Sequence, residues 1–516
     1  MSSINSTASK CATLFFICVA FHMIGTWSLP LIDRDEPRFA EASREMIERA
    51  DYVVPYFNNQ LRLDKPPLTY WAQVASYRLF GENDFAARFP STIAAALTAL
   101  VIFAWGLRVA GEKAAWSAAI IFTLSLQTFA HAKAAVADMW LVLFVTLSHW
   151  AGYALIQHPT PNIKHQPLLW WLAFYLSLAL GFLAKGPIAW TPLLTVAVLI
   201  VYARQWTLTR DFKFARGILL MLAVIALWAV PALIKTRGEF LTIGIGRHVI
   251  RRSVATMEGH GANSLPMYLT LLPFYFVTVF ASFFPWSIKL PWLARKLWGE
   301  NKARVINLRQ GYGGQGRVGY STSLIDSYLL AGIAIIFIIF TLVSTKLPHY
   351  TLPAFPLLSL LLARHWSQGP AVSKPPAGGA SGHFPFKTIA LTTACAWVVI
   401  ALLIPPMVAR FFPAYQLLQQ SRISLQPEMQ VAAIEFEEPS LVWYFRSRVR
   451  GFLTPLNKRR AETFMNTTGT RFLVLPTSLA GSLFPNTPPK WQSFTTSGFN
   501  IAKGKRVDLT LLLKPE

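Results

Sequence analysis

Apolar runs broken by short polar stretches dominate the first 409 residues. A membrane-crossing helix needs about 20 mostly apolar residues. Eleven stretches approach that requirement: 11–29, 90–109, 114–132, 138–156, 168–184, 187–203, 217–234, 267–288, 327–344, 350–364 and 388–409. Lys185-Gly186-Pro187 is the only break between 168 and 203, and Gly with Pro predicts a sharp turn there. Beyond residue 410 the pattern changes to short runs (431–436, 441–445, 471–475, 507–513) bounded by Pro, Gly, Asn and Thr, which predicts strands of a small α/β domain. The chain thus reads as a mainly α, polytopic membrane domain, 1–409, followed by an extramembrane domain, 410–516.

Residues 33–88 are too polar to span and too patterned to be a simple linker. Phe39, Ala42, Met46 and Ala50 recur at helical spacing while Glu41, Glu45 and Glu48 take another face, predicting an amphipathic helix at the membrane surface. A second such helix follows Pro66-Pro67, with Leu68, Trp71, Ala72, Ala75 and Leu79 as its stripe. The other extramembrane loop of note is 235–266, and 367–382, rich in Pro, Gly, Ala and Ser, reads as a flexible loop.

Composition agrees with this picture: 53% of residues are hydrophobic, 14% are charged and mean hydropathy is +0.41, which argues against a soluble protein. The net charge of +24 is spread along the chain rather than gathered in a tail. Nucleic acid is therefore not an expected partner, whereas membrane lipids with anionic head groups and phosphate-bearing substrates are. Cys11, Cys18 and Cys395 all sit in apolar stretches, and seven residues of helix separate the first two by about 10 Å, beyond disulfide reach. The segment 11–29 lacks a small-residue cleavage pattern and reads as a retained first span. If the N-terminus is cytoplasmic, loops 204–216 and 289–325, with many Lys/Arg and few acids, lie inside.

Two clusters in the first outer loop carry candidate chemistry. In Asp33-Arg34-Asp35-Glu36, Asp33 and Glu36 have capping-box spacing, which leaves Asp35 without a capping task; an ionisable group near membrane depth is a functional candidate. In Asp64-Lys65-Pro66-Pro67, Pro66 holds Lys65 out of helical geometry, so its ammonium suits a phosphate, although a snorkelling lysine reads the same way. The same topology puts Lys133, Asp138, Lys185, Arg247-His248, Arg251-Arg252, Glu258-Gly259-His260 and Lys346-Leu347-Pro348-His349 on that outer side. Several cations beside a carboxylate suit a departing phosphate and an incoming hydroxyl. Gly311–Gly316 matches G-x-G-x-x-G, but it lacks the strand and helix that a dinucleotide site requires, and no Walker A lysine motif is present. Asn5 and Asn466 begin sequons, a weak signal.

Taken together, Asp33–Ala42, Asp64–Leu68, Ala184-Lys185-Gly186-Pro187, Gly246–Ile250 with Glu258–Gly261, and Thr345–Tyr350 resemble the aminoarabinose transferase branch of the GT-C membrane glycosyltransferases, a group that includes protein O-mannosyltransferases. The resemblance runs from about residue 30 to 364. It implies an inverting transfer of a sugar from a polyprenyl (undecaprenyl) phosphate donor to a lipid A-type, other glycolipid or protein acceptor, at the periplasmic face of a bacterial inner membrane. By motif, Asp35 corresponds to the family's key acid and Asp138 to a second. Lys65, Lys185, Arg247, Arg251 and Lys346 would meet the donor phosphate, and His349 would shape the cavity. Some members hold a divalent, zinc-like metal through a Glu before the lysine and a later His; Asp64 and His260 stand at those places. No cofactor is otherwise implied. A lipid or oligosaccharide transporter is the competing reading, since it too would set cations beside a membrane cavity; clustering on one side argues against it.

Overall fold

The computed structural model describes residues 2–157, 166–204, 206–251, 264–309, 317–367 and 386–515. Among these, six helices are long and apolar enough to cross a membrane: Asp84–Ala110, Asp138–Gln157, Leu168–Lys185, Leu208–Lys235, Leu324–Leu342 and Phe386–Ala409. The other five expected spans are shorter or divided. Helix Ser2–Met23 ends in a turn, and the apolar run 114–132 breaks at Ser125 into Glu112–Leu124 and Leu126–His131. Proline divides the rest: Pro187 and Pro348 open short, tight helices of four and seven residues before Thr191–Ala203 and Phe355–Ser367, while Pro273 and Pro285 cut 267–288 into three pieces.

Small residues bring the helices together. Ala94, Ala95, Ala99, Ala115, Ala118 and Ala119 are buried between Asp84–Ala110 and its neighbours, as expected where lipid supplies no hydrophobic drive and association rests on close packing. A Cβ on Gly217 would lie 2.0 Å from the Tyr175 ring, so only glycine allows that approach.

The helix Asp35–Arg49 departs from the surface helix that its pattern predicts. Glu41 and Glu45 are fully buried, because Arg44 and Arg446 cover the acidic face. Arg446 lies on helix Pro439–Arg446, about 400 residues away in sequence. The run 441–445 within that helix, expected to be a strand, is buried on all sides; a continuous apolar run does not distinguish buried strand from buried helix.

The domain after Ala409 holds a five-stranded sheet. A two-stranded ribbon in the first loop, β1 (Tyr56–Phe57) and β2 (Gln60–Leu61), precedes it in the chain. The sheet comprises β3 (Gln430–Ala433), β4 (Thr454–Pro455), β5 (Arg471–Pro476), β6 (Gln492–Asn500) and β7 (Lys505–Lys514), in the order β4-β3-β5-β7-β6. The β3 pairings are parallel and the β7 pairings antiparallel, with Val431 opposite Phe472 and Phe472 opposite Leu513. Both faces are covered: Val431, Phe472 and Leu511 pack toward Pro439–Arg446, while Leu473, Leu475 and Leu512 pack toward Lys458–Asn466.

One buried ion pair ties loop to spans. Arg88 donates to Glu36 Oε1 and Oε2 at 2.9 and 2.7 Å and to the carbonyls of Thr26 and Pro30 at 3.0 Å each, with a further bond to Leu29. Glu36 also accepts from the Ile32 and Ala135 amides, both at 2.7 Å. Glu36 is thus no helix cap; Arg34 stands at the N-cap without a side-chain bond. Replacing Arg88 with Met leaves the buried Glu36 carboxylate unpaired, a loss of about 3–5 kcal/mol. We expect Arg88→Met to lower the melting temperature in detergent markedly, and the double variant Arg88→Met/Glu36→Gln to recover part of that loss.

Candidate active site

A cavity of about 280 Å³ opens where the first loop, the span ends and the C-terminal domain meet. The helix Asp35–Arg49 brings Asp35 to its wall, beside Arg34 and Arg38. The Asp35 side chain is exposed and lines the chamber. Lys65 reaches the same space from the loop before helix Leu68–Phe80. Asp138, the first residue of its span, is set by Ala135, whose amide is held by Glu36. Lys185 ends helix Gln166–Lys185, which Gly186 terminates at a positive φ of 83°.

Lys185 Nζ and Asp138 Oδ1 are 2.5 Å apart, a charge-assisted bond that holds the ammonium at the cavity wall. His349 Nε2 lies 3.9 Å from the same oxygen, and the His131 and His349 rings stand 5.0 Å apart. Tyr350 adds a ring 5.8 Å from the Lys185 ammonium.

A second, largely apolar groove of about 430 Å³ runs between spans, lined by Leu141, Ile188, Leu193, Leu194, Ile339 and Val343 among others. Lys65, Asp138, Lys185, His349 and Tyr350 line both spaces. A polar chamber and a lipid-sized slot thus share one cationic wall. Such a junction fits an amphiphile whose anionic head sits against lysines while its tail follows the spans.

Asp35, Asp64, Lys65, Asp138, Lys185 and His349 therefore come together. Lys346 departs from its expected place: its ammonium donates to the carbonyls of Phe340 and Thr341, at 3.0 and 2.5 Å, and so caps the end of the preceding span. Lys133 does the same for Phe21, His22 and Ile24 at the end of the first helix. Arg247 and Arg251 fall on the wide helical segment Phe240–Arg251, whereas His260, Gly311–Gly316 and most of 367–382 lie outside the described residues. Sequence reasoning missed His131, Ile501 and Ala502. His131 hides in an apolar run, and nothing in an apolar pair at a hairpin tip signals a cavity wall.

Asp64 already faces Arg62 at 3.1 Å and Lys65 at 3.9 Å, so fixed cations supply the charge that a divalent ion would bring. Among the described residues, His131, Asp138 and His349 offer ligand atoms within 4.8 Å of one another, but the Lys185 ammonium occupies the Asp138 carboxylate. His260, the other expected ligand beside Asp64, lies outside the described residues.

Comparisons bear out the resemblance. The family profile described as dolichyl-phosphate-mannose-protein mannosyltransferase matches residues 64–230, a segment holding Lys65, Asp138 and Lys185 but not Asp35 or His349. An uncharacterized protein of Aquifex aeolicus is 25% identical over 330 residues, 64% of this chain and 58% of that protein. The undecaprenyl phosphate-alpha-4-amino-4-deoxy-L-arabinose arabinosyl transferase 2 of Sodalis glossinidius is 28% identical over 356 residues, 68% of this chain. The match spans 58% of the length of each of these relatives. Among solved structures, ArnT from Cupriavidus metallidurans bound to undecaprenyl phosphate superposes with a TM-score of 0.70 at 18% identity, covering 98% of both chains. Its apo state gives 0.69. At that identity the likeness establishes a shared fold.

Asp33, two residues before Asp35, accepts from the Ser440 amide and hydroxyl at 2.8 and 2.5 Å. Burial pushes its carboxyl up from 3.8 to about 6. The folded protein therefore holds this proton more tightly than the unfolded chain, and the resulting stabilisation is complete below about pH 4 and lost as pH rises through 6. The melting temperature should thus rise between pH 7 and pH 5 more in the parent protein than in Asp33→Asn; equal slopes would remove Asp33 as the source.

Proposed function

We propose that this chain, which has the fold of ArnT and a mannosyltransferase-type segment, is an inverting glycosyltransferase using a polyprenyl-phosphate-linked sugar. The observation that carries the reading is the shared wall of Lys65, Asp138, Lys185, His349 and Tyr350 between polar chamber and apolar groove. The prenyl tail follows the groove, the phosphate meets Lys65 and Lys185, and the sugar projects into the chamber toward Asp35.

The reaction is a single displacement. An acceptor oxygen attacks the anomeric carbon from the face opposite the phosphate, the carbon–oxygen bond to the phosphate breaks, and configuration inverts. The polyprenyl phosphate departs without protonation because the lysines stabilise its charge in a poorly hydrated site. Asp35 takes the proton of a hydroxyl acceptor, or orients an acceptor phosphate that is already anionic. Asp138 holds Lys185 in place, and Arg247 and Arg251 are further candidates for the donor head group. The names of the chain's relatives suggest 4-amino-4-deoxy-L-arabinose as the sugar, and the motif resemblance suggests a lipid A-type acceptor. The Lys/Arg bias of loops 204–216 and 289–325, read as facing inward, supports a periplasmic site in a bacterial inner membrane.

Asp35→Asn, assayed in proteoliposomes with undecaprenyl-phosphate-linked aminoarabinose and lipid A, should lose at least about 100-fold in transfer with unchanged insertion and melting temperature. Undiminished transfer would falsify the assignment. Because Arg62, Lys65 and Lys185 carry the positive charge, dialysis against EDTA is expected to leave the rate unchanged; a loss restored by zinc would show that a metal is needed.

A further inference from the structure

Ile501 and Ala502, at the turn between β6 and β7, line the chamber, as do Asp33, Arg34 and Asp35, and none of these five lines the apolar groove. The donor, under the reading above, enters from the groove side. The oxygen that attacks its sugar must approach past Asp35, so the hairpin turn stands along the only wall of the chamber that the C-terminal domain contributes among the described residues.

The turn is held rather than loose. Asn500, buried at the end of β6, donates to Glu438 Oε1 at 2.8 Å and accepts from the Lys503 amide at 3.0 Å. Lys503 Nζ lies 3.7 Å from the same Glu438 oxygen. Two residues on, Ser440 binds Asp33, and Asp33 precedes Asp35 by two. A short chain of contacts thus sets the hairpin turn in register with the proposed base. Ile501 is 41% exposed, an apolar side chain left open in a chamber whose lining includes Asp33, Arg34 and Asp35.

We propose that the hairpin turn is the acceptor-selecting wall of the active site: Ile501 and Ala502 contact the acceptor beside its attacking oxygen, and the Asn500–Glu438 bond positions them. The inference rests on the proposed transferase reading, which it deepens by assigning the C-terminal domain a part in substrate choice.

The test uses the full chain in proteoliposomes with undecaprenyl-phosphate-linked aminoarabinose as donor probe and lipid A as acceptor probe. Ile501→Asp and Ala502→Trp are expected to raise the acceptor KM at least tenfold while the donor KM changes less than twofold. Glu438→Ala should give the same one-sided rise, and Glu438→Gln, which keeps a hydrogen-bonding carbonyl, should restore the parent value. Equal changes in both KM values, or none, overturn the proposal. A second readout needs no turnover: lipid A should slow maleimide labelling of Ile501→Cys at least fivefold, and undecaprenyl phosphate should not. Labelling blind to lipid A overturns the wall, whereas protection without any sugar transfer by the parent protein counts against the reaction and leaves the wall standing.

Discussion

The buried pairing of Arg88 with Glu36 is the constraint on which the site depends. A guanidinium has five donors and no acceptor, and in an apolar bundle each must find an oxygen. Here they reach both oxygens of Glu36 and the carbonyls that end the first helix and begin the loop, while Glu36 gathers the Ile32 and Ala135 amides. Such a pair contributes little net stability relative to apolar packing, but it defines a single arrangement because every alternative strands a charge. Its neighbours in sequence are two of the site's acids: Asp35 adjoins Glu36, and Asp138 follows Ala135 by three residues. One interaction therefore sets the distance between two segments a hundred residues apart.

The cations of the outer side fall into two groups by what they can reach. Lys133 and Lys346 lie where helices leave unpaired carbonyls, and their ammonium groups satisfy those carbonyls. Lys65 and Lys185 instead border the cavity, each beside a carboxylate that holds its charge in place without closing the space around it. Under the proposed transferase reading, a phosphate arriving there would meet cations already oriented, so little reorganisation would accompany its departure.

The C-terminal domain is bonded into the first loop at many points. Arg446 and Arg44 bury the acidic face of helix Asp35–Arg49, Trp443 and Tyr444 donate to Asp84, and Ser440 donates to Asp33. The helix that carries Asp35 is thus packed between the loop helix Leu68–Phe80 and the extramembrane helix Pro439–Arg446. Its position reports on both, which gives the second domain a physical route to the chemistry without contributing an ionised group to it.

How much of this was legible before folding depended on range. Apolar runs disclosed the helical bundle, and Gly186-Pro187 marked one break, but Pro273 and Pro285 lay inside a run read as a single span and their division of it appeared only in the fold. Motif likeness singled out Asp35, Lys65, Asp138, Lys185 and His349, because each sits in a short, recognisable string. It equally singled out Lys346, whose ammonium turns to its own helix end, and it took Glu36 for a cap. Local strings and periodicities are set by nearest neighbours along the chain, so the linear pattern determined which segments are helical and which side chains are chemically suited to a phosphate. The direction in which each charge points, the helix at 441–445, the burial of Glu41 and Glu45, and the hairpin turn at Ile501 were decided only in three dimensions. They depend on partners tens to hundreds of residues away, and desolvated charges take whichever partner the packed structure brings within a few ångströms.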